Sequence, residues 1–363
     1  MRFFVGILIF RILSLVPNKT KTKYMKRILL IVMLILGIKN YAQVAITPSD
    51  RGANEKFEKG ELEKFKATTT IFVLPQLSKK EDYEKILNEI WTVTPFKVVN
   101  FKDFRMTDYA DGKYSIAKFM GDITISGKGT VYIHTNFAIR ILDKEKFDKG
   151  FAKLKSDDKK YSRKLNSLFN EYLTYIARFP LSVNNKFLVD AMAGARSDEK
   201  IASLYDRMYN EQSFTNTNLG MLKNYFQLIN ERISNGENSG LYDDFVTPEV
   251  KNLKENTLYI PEAYMMEYNP WKGTEKLRDE KDLKKLVEDY KYKYQFIRDE
   301  DLEKKILDKE DIFYLRYVSM NGNKFIDVVN AKTGTPVYYF YGAGFAYNLK
   351  DDDFKNISKA ASK

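Results

Sequence analysis

The chemistry open to this chain is limited by its histidine content, because His134 is the only histidine among 363 residues. A metal site would have to be built from carboxylates, and serine–histidine catalysis would depend on this one ring. On the strand predicted for residues 131–141, His134 shares a face with Tyr132, Asn136 and Arg140, which make a mostly polar surface. We therefore interpret His134 as a half-exposed strand residue without a catalytic or ligand role.

Three acidic clusters carry the oxygen ligands that calcium prefers: Asp243-Asp244, Asp299-Glu300-Asp301 and Asp351-Asp352-Asp353. None of them has the alternating ligand spacing and the central glycine of a calcium-binding loop. The second and third clusters stand where helices are predicted to begin, and negative charge is favourable there without any metal. We expect neither a metal site nor a cofactor.

A glycine-rich segment, Ser126-Gly127-Lys128-Gly129-Thr130, has the composition of a phosphate-binding loop. That motif requires a serine or threonine directly after the lysine and a helix after the loop. Here a glycine follows Lys128 and a strand is predicted next. The segment is therefore predicted to be a hairpin turn.

Three short motifs occur in the order found in one enzyme family: Ser156-Asp157-Asp158-Lys159, Ser182-Val183-Asn184 and Lys332-Thr333-Gly334. They are similar to the S-x-x-K, S-x-N and K-T-G elements of the penicillin-binding and serine β-lactamase family. The resemblance implies a serine hydrolase in which Ser156 is the nucleophile, Lys159 accepts its proton, and Lys332 contacts the substrate carboxylate. Because Ser156 lies in a hydrophilic run that would not desolvate Lys159, the hydrolase is our alternative hypothesis.

A crowded loop in the C-terminal part is the segment most suggestive of binding. Tyr264, Met266, Tyr268 and Trp271 follow the carboxyl end of a predicted strand, the side of an α/β sheet where ligands usually sit. Large, adaptable side chains at that place can line a groove for a peptide, a glycan or a partner protein. We predict these four residues as the binding site. The competing interpretation is a lid that folds down over the core.

Residues 1–42 have the pattern of a leader that is removed. Two basic residues and the apolar run 28–38 are followed by Ala42, a small residue at the cleavage position before Gln43, as in a bacterial export signal. The signal is complete from Met25, which we predict as the true start. We therefore expect an exported protein, periplasmic or secreted, with no membrane span after cleavage.

Loss of this leader changes the charge of the chain. The formal charge of +11 falls by eight to +3, because residues 1–42 hold eight basic side chains and no acidic ones. Basic and acidic residues alternate in the remainder, as in 279–311, whereas nucleic-acid binding requires a basic cluster. We predict no nucleic-acid partner. The absence of cysteine from the sequence excludes disulfides and thiolate metal sites.

The predicted fold class is α/β: two related strand-helix-strand modules with β-hairpin extensions, separated by an all-helical insert. The first module covers residues 68–142 and the second 257–363. Each begins with a buried strand ended by proline, 71–75 and 257–261, and continues through a helix into a second strand. The repeated order predicts an internal duplication.

The remaining segments are predicted from their periodicity. Residues 143–256 form the all-helical insert, because apolar side chains recur there at helical spacing in two stripes, 161–179 and 219–233. Residues 43–67 are polar and unpatterned, and we predict that they form a tether ahead of the first module.

The strand end Val73-Leu74-Pro75, the segment Trp91-Thr92-Val93-Thr94-Pro95 and the export signal together resemble uncharacterised secreted bacterial proteins of α/β type. This resemblance implies no active site and assigns no role to any residue. Our first hypothesis is a soluble exported binding or interaction protein, and we do not expect an enzyme. The alternatives are the serine hydrolase and a structural protein of the cell envelope.

Overall fold

The computed structural model describes residues 43–125, 131–194, 198–344 and 346–363, which belong to one compact unit of the chain. The glycine-rich segment 126–130 lies outside these residues. Two six-stranded mixed sheets dominate the unit, so the predicted α/β fold class is confirmed. None of the helices in the described ranges is long and apolar enough to cross a bilayer.

The first sheet is built from six strands: β1 (Ala45–Ile46), β2 (Thr69–Leu74), β3 (Phe96–Asn100), β4 (Tyr114–Ile125), β5 (Val131–Leu142) and β6 (Leu173–Pro180). Their order across the sheet is β1-β6-β5-β4-β2-β3. Strand β2 runs parallel to both β3 and β4, and the other pairs are antiparallel. The β-branched and aromatic run of β2 is fully buried from Thr70 onward, as expected for a central strand.

The second sheet is built from six strands: β7 (Phe245–Val246), β8 (Leu258–Pro261), β11 (Tyr294–Ile297), β12 (Phe313–Met320), β13 (Asn323–Asn330) and β14 (Pro336–Gly342). Between β8 and β11 the chain forms a separate hairpin of two strands, β9 (Met266–Asn269) and β10 (Thr274–Leu277). The sheet order is β11-β8-β12-β13-β14-β7, and β9 pairs only with β10 among the described strands. Strand β8 is parallel to β11 and β12, and the remaining pairs are antiparallel.

The two sheets therefore have the same topology. In each, a central strand has a parallel neighbour on both sides, and an antiparallel meander leads from one of these neighbours to a short edge strand. The edge strand comes first along the chain in both halves. This correspondence supports the internal duplication expected from the sequence.

Ten α-helices lie within the described ranges: α1 (Glu61–Lys66), α2 (Lys80–Ile90), α3 (Lys144–Phe151), α4 (Tyr161–Tyr172), α5 (Asn185–Gly194), α6 (Asp198–Asn210), α7 (Leu219–Asn235), α8 (Glu280–Leu286), α9 (Asp299–Leu307) and α10 (Asp351–Ser362). Short 3-10 helices cover Phe101–Asp103, Met106–Tyr109, Pro248–Lys254 and Glu262–Met265. Helices α9 and α10 begin at the acidic clusters, as predicted.

Helix α7 is the central helix of the structure. It begins after Asn218, whose side chain accepts a hydrogen bond from the Met221 amide, and ends at Gly236 in the left-handed conformation. It contacts α2 on one side and α9 on the other, so it is buried over most of its circumference. Its Phe226 ring packs on Phe72 and Phe137 of the first sheet, with ring centres 5.2 and 5.1 Å away.

The predicted all-helical insert is wrong in two elements, the strands β6 and β7. The apolar stripe of residues 161–179 divides into helix α4 and strand β6, and β6 pairs with β5 from Asn136 to Leu142. Side chains at Tyr172, Ile176 and Phe179 fit a helical period, but pairing with β5 decides the outcome. Residues 143–256 thus supply a strand to the first sheet and β7 to the second.

Two further predictions need correction. Residues 43–47 are buried and hydrogen bonded, so this stretch of the predicted tether belongs to the core. The spacing of Ser78 and Glu81 also predicts a capping box, but helix α2 starts at Lys80 after Lys79 without a side-chain cap, so this box does not form. Lys79 takes the N-cap position with its extended backbone.

Candidate functional site

A cleft of about 480 Å³ lies between the two sheets. One wall is formed by the start of β5 and the segment that follows β6. The opposite wall is formed by the loop after β8, strand β9 and the end of β12. A cavity of this size is in the range of small-ligand sites.

Three of the four residues predicted for binding line this cleft. Tyr264 is only 4% exposed, and its hydroxyl accepts a hydrogen bond from the Tyr317 amide at 3.1 Å. Met266 and Tyr268 are half-buried on β9. Trp271 is 84% exposed, lies at the tip of the β9–β10 hairpin and borders a smaller neighbouring depression. The segment is thus partly a lid over the core and partly a wall of the cleft.

Asn321 closes a strand edge at the floor of the cleft. It lies with Gly322 in the turn between β12 and β13, where both residues have positive φ. Its Oδ1 accepts a hydrogen bond from the Ile133 amide, and its Nδ2 donates one to the Ile133 carbonyl, both at 3.0 Å. Because β6 pairs with β5 only from Asn136 onward, this side of Ile133 would otherwise be open. Asn321 was missed from the sequence, where the Asn-Gly pair between two strands signals the turn but not its contact.

Asn348 does the same for the opposite wall. Its Oδ1 accepts a hydrogen bond from the Tyr268 amide and its Nδ2 donates one to the Tyr268 carbonyl, both at 2.8 Å. The other side of Tyr268 pairs with Glu275 of β10. Both strands that border the cleft therefore have their edges occupied at the cleft.

The lining is almost free of charge. Glu275 is the only charged side chain among the described residues that line the cleft, although 30% of the whole chain is charged. Partial burial raises the pKa of the Glu275 carboxyl. Tyrosine, methionine, asparagine and hydroxyl side chains supply most of the surface. Among them, Asn185 has a buried Oδ1 with no hydrogen-bond partner in the described part of the chain.

His134 lies beside the cleft floor. Its half-buried ring is within 3.2 Å of the Asn321 Nδ2, and it faces Asp122 across the β4–β5 ladder. Burial lowers the pKa of the imidazole, and Asp122 acts in the opposite direction. The net effect favours the neutral form of the ring. In the described residues its hydrogen bonds involve Asn321 and neither a serine nor a carboxylate, so no catalytic pair is formed.

The residues of the alternative hydrolase hypothesis lie in different surroundings. Ser156 and Lys159 are exposed in the loop between α3 and α4, and Lys332 is exposed in the turn between β13 and β14. No hydrogen bond between described residues joins any two of the three. Of the three motifs, only Ser182-Val183-Asn184 lines the cleft. The Ser182 amide donates to Asn216 Oδ1 at 2.9 Å, which fixes the backbone there.

Within the described residues, no group of three His, Asp or Glu side chains is arranged to hold a metal ion. No family model matches the chain, and no curated protein or solved structure is significantly similar to it. What the cleft can bind must therefore be argued from its own geometry.

Proposed function

We propose that this protein is an exported binding protein that holds an uncharged glycan in the cleft between its two modules. The observation that carries the proposal is the composition of the cleft: tyrosine rings, amides and hydroxyls, with Glu275 as its single charged side chain. Export is supported by the leader pattern of residues 1–42.

Charge separates the classes of ligand. A phosphorylated, sulfated or carboxylate-rich ligand calls for arginine or lysine at the site, because desolvating an unpaired anion costs several kcal/mol. The cleft lining contains neither among the described residues. A cationic ligand would have Glu275 alone, and that side chain is exposed at the rim. An uncharged ligand fits this lining best.

The closed strand edges separate a glycan from a peptide. Extended peptides commonly bind by adding a strand to an open sheet edge, where main-chain hydrogen bonds supply the affinity. At this cleft the amide and carbonyl of Ile133 are taken by Asn321, and those of Tyr268 by Asn348. Recognition must therefore come from side chains. Tyrosine faces pack against the C–H faces of a sugar ring, and amide groups both donate to and accept from hydroxyls.

Two groups in the cleft are available for such contacts. The Tyr132 ring is 41% exposed on the edge of β5 and offers a flat apolar face. The Asn185 Oδ1, buried and unpartnered among the described residues, is an acceptor for a ligand hydroxyl. Tyr132 comes from the first module and Asn185 from the segment 143–256, and Met266 and Tyr268 of the second module line the same cleft.

The test is a binding survey of the purified mature protein. Neutral oligosaccharides, acidic oligosaccharides and uncharged peptides are compared by calorimetry at physiological salt. We expect binding to be confined to neutral oligosaccharides. Binding of peptides alone, or of none of the three classes, would contradict the proposed ligand.

A matched pair of variants locates the site. Tyr132→Ala removes an exposed ring from the cleft, and Tyr294→Ala removes a ring of nearly equal exposure, 40%, from the edge strand β11 outside it. Loss of a stacking tyrosine costs on the order of 1 kcal/mol or more, so we expect Tyr132→Ala to weaken binding about fivefold or more. Tyr294→Ala should bind as the unaltered protein does. Equal effects of the two variants would place the ligand elsewhere.

The two other hypotheses have separate tests. A serine hydrolase of the penicillin-binding type predicts covalent labelling of Ser156 by a β-lactam probe. A structural envelope role predicts tight association with other envelope proteins, detectable by crosslinking in intact cells. The cleft and the separation of Ser156 from Lys332 favour the binding protein over both.

A further inference from the structure

Gln43, the first described residue, is fully buried, and each atom of its side-chain amide is hydrogen bonded. Its Nε2 donates to the carbonyl oxygens of Arg316 and Phe325, both at 2.9 Å. Its Oε1 accepts a hydrogen bond from the Tyr225 hydroxyl at 2.9 Å. Arg316 and Phe325 lie on the neighbouring strands β12 and β13, and Tyr225 lies on α7. A buried amide with all of these hydrogen bonds is held in one specific position, which we call the seat of Gln43.

The residues that follow Gln43 join the two sheets. Ala45 and Ile46 form β1, which pairs with Arg178 and Ala177 of β6 in the first sheet. The Ala45 side chain belongs to an apolar cluster with side chains of the second sheet, Val318, Phe325 and Tyr339. Residues 43–46 thus contact both sheets.

The backbone N–H of Gln43 acts on a buried carboxylate, that of Asp327. Asp327 is fully buried and its Oδ2 accepts hydrogen bonds from the Arg316 guanidinium, at 3.0 Å from Nε. Burial raises the pKa of Asp327, and Arg316 and the Gln43 backbone N–H act in the opposite direction. Yet Asp327 Oδ1 has no hydrogen bond of ordinary geometry within the described residues. The single N–H of a peptide bond, with its fixed direction, does not satisfy this oxygen.

A free amino group would satisfy it better. A terminal amine carries two or three protons and rotates about its bond to Cα, so it can point a proton at Oδ1. The predicted cleavage between Ala42 and Gln43 creates an amine at this nitrogen. The predicted leader boundary and the unpartnered oxygen point independently to the same atom.

We propose that Gln43 is the amino-terminal residue of the mature protein, that its free amino group pairs with Asp327, and that its seat in the core prevents cyclisation of the glutamine. This inference rests on the export proposed above, but not on the glycan. An amino-terminal glutamine cyclises when its amine attacks the side-chain carbonyl carbon. A bond forms between the amine nitrogen and Cδ, the bond from Cδ to Nε2 breaks, and ammonia leaves.

The seat opposes this reaction in two ways. The amide is held by two hydrogen bonds to β12 and β13 and by a third from Tyr225 of α7, so it cannot fold back onto its own amine. Cyclisation would also remove Nε2, and the carbonyls of Arg316 and Phe325 would lose their donor in the core. The folded protein therefore favours the open glutamine both kinetically and thermodynamically.

The experiment is mass spectrometry of the full chain after export from a bacterial host. We expect a mature protein that begins at Gln43 and retains the side-chain amide of this glutamine. Incubation in denaturant should produce a loss of about 17 Da, the mass of ammonia, and in the folded state the same loss should be at least about tenfold slower. The unaltered protein alone is sufficient for this comparison, so it does not depend on any variant folding.

A pair of variants tests the seat itself. Tyr225→Phe removes the hydroxyl that holds Oε1, and Tyr314→Phe removes a neighbouring buried hydroxyl that bonds to Asn224 instead. We expect faster cyclisation in folded Tyr225→Phe only.

The outcomes separate this inference from export. A leader cut at another bond would overturn the inference and leave export standing, and an uncut leader would overturn both. A mature protein that begins at Gln43 but is already cyclised, or that cyclises equally fast when folded, would refute the proposed seat.

Discussion

Replacement of Lys118 by methionine is expected to stabilise the protein at neutral pH. Lys118 lies on β4, partly buried, with its Nζ 5.7 Å from the centre of the Phe104 ring. No described carboxylate forms an ion pair with it, and the charge that acts on it is that of Arg140 on β5. Burial, and then Arg140, lowers the pKa of the Lys118 ammonium from 10.5 to about 8. The folded state therefore disfavours the charge that the unfolded chain carries freely.

The size of the effect follows from this shift. A depression of the pKa from 10.5 to about 8 corresponds to at most about 3 kcal/mol of lost stability at pH values below 8. Solvent contact at the ammonium reduces that limit. Between pH 8 and 10.5 the unfolded chain binds more protons than the folded one, so the free energy of unfolding rises with pH as far as Lys118 is concerned. Above this window the penalty is gone.

The assay compares denaturant unfolding of the protein and of Lys118→Met from pH 7 to 10.5. We expect the variant to be more stable by about 1–3 kcal/mol at pH 7, with a difference that shrinks toward zero as the pH rises. Tyrosine ionisation affects both proteins equally and cancels in the difference. Lys97→Met, at an exposed position on β3, is the control and should show no pH-dependent gain.

The reasoning would be refuted by a stability difference that does not change with pH, or by a Lys118→Met variant that is less stable at every pH. Either result would mean that the ammonium is not desolvated in the folded state.

Two other sites are probed by substitution: the buried ion pair within the second sheet and the Asn321 contact between the two sheets. Asp327→Ala leaves the buried Arg316 unpaired and should lower the free energy of unfolding by about 3–5 kcal/mol in guanidinium titrations. The double variant Arg316→Met with Asp327→Leu should recover much of this loss, because it removes both charges. Equal losses in the single and the double variant would contradict this expectation. Asn321→Gly keeps the left-handed turn but loses both hydrogen bonds to Ile133, so we expect the free energy of unfolding to fall by about 1–2 kcal/mol and the Ile133 amide to exchange its hydrogen faster. Asn321→Ala should be less stable by about a further 1–2 kcal/mol, because the φ of 52° at this position suits glycine and asparagine.

The α/β class could be read from the sequence because local patterns decide it. The apolar residues of β2, β5 and α7 each follow a pattern that is typical of only one kind of element, strand or helix. Each of these elements forms as predicted. The repeated order of elements also pointed to two related halves. Strand β6 was missed because Tyr172, Ile176 and Phe179 satisfy a helical period, and the choice is made by β5, a distant partner.

The cleft was predictable only on one side. Tyr264, Met266 and Tyr268 drew attention as a crowded loop, but nothing local shows that Tyr132 and Ser182 face them. Asn321 and Ile133 are 188 positions apart, so their contact exists only after both sheets have formed. Trp271, the most conspicuous side chain of the loop, lies at the hairpin tip and outside the cleft.

Gln43 was assigned to a polar tether for a related reason. A glutamine in an unpatterned segment gives no sign that carbonyls of two distant strands await its amide. Burial of polar residues depends on partners, and partners are a property of the assembled structure.

The position of α7 ties the fate of the two halves together. Met221 of this helix shares one apolar cluster with Leu302, Ile306 and Tyr314, so a helix that precedes the second sheet in the chain completes that sheet's packing. A fragment that begins at residue 257 would lack α7, and the apolar side chains of this cluster would be exposed to solvent. The second half is therefore expected to need α7, which precedes it in the chain, in order to fold stably.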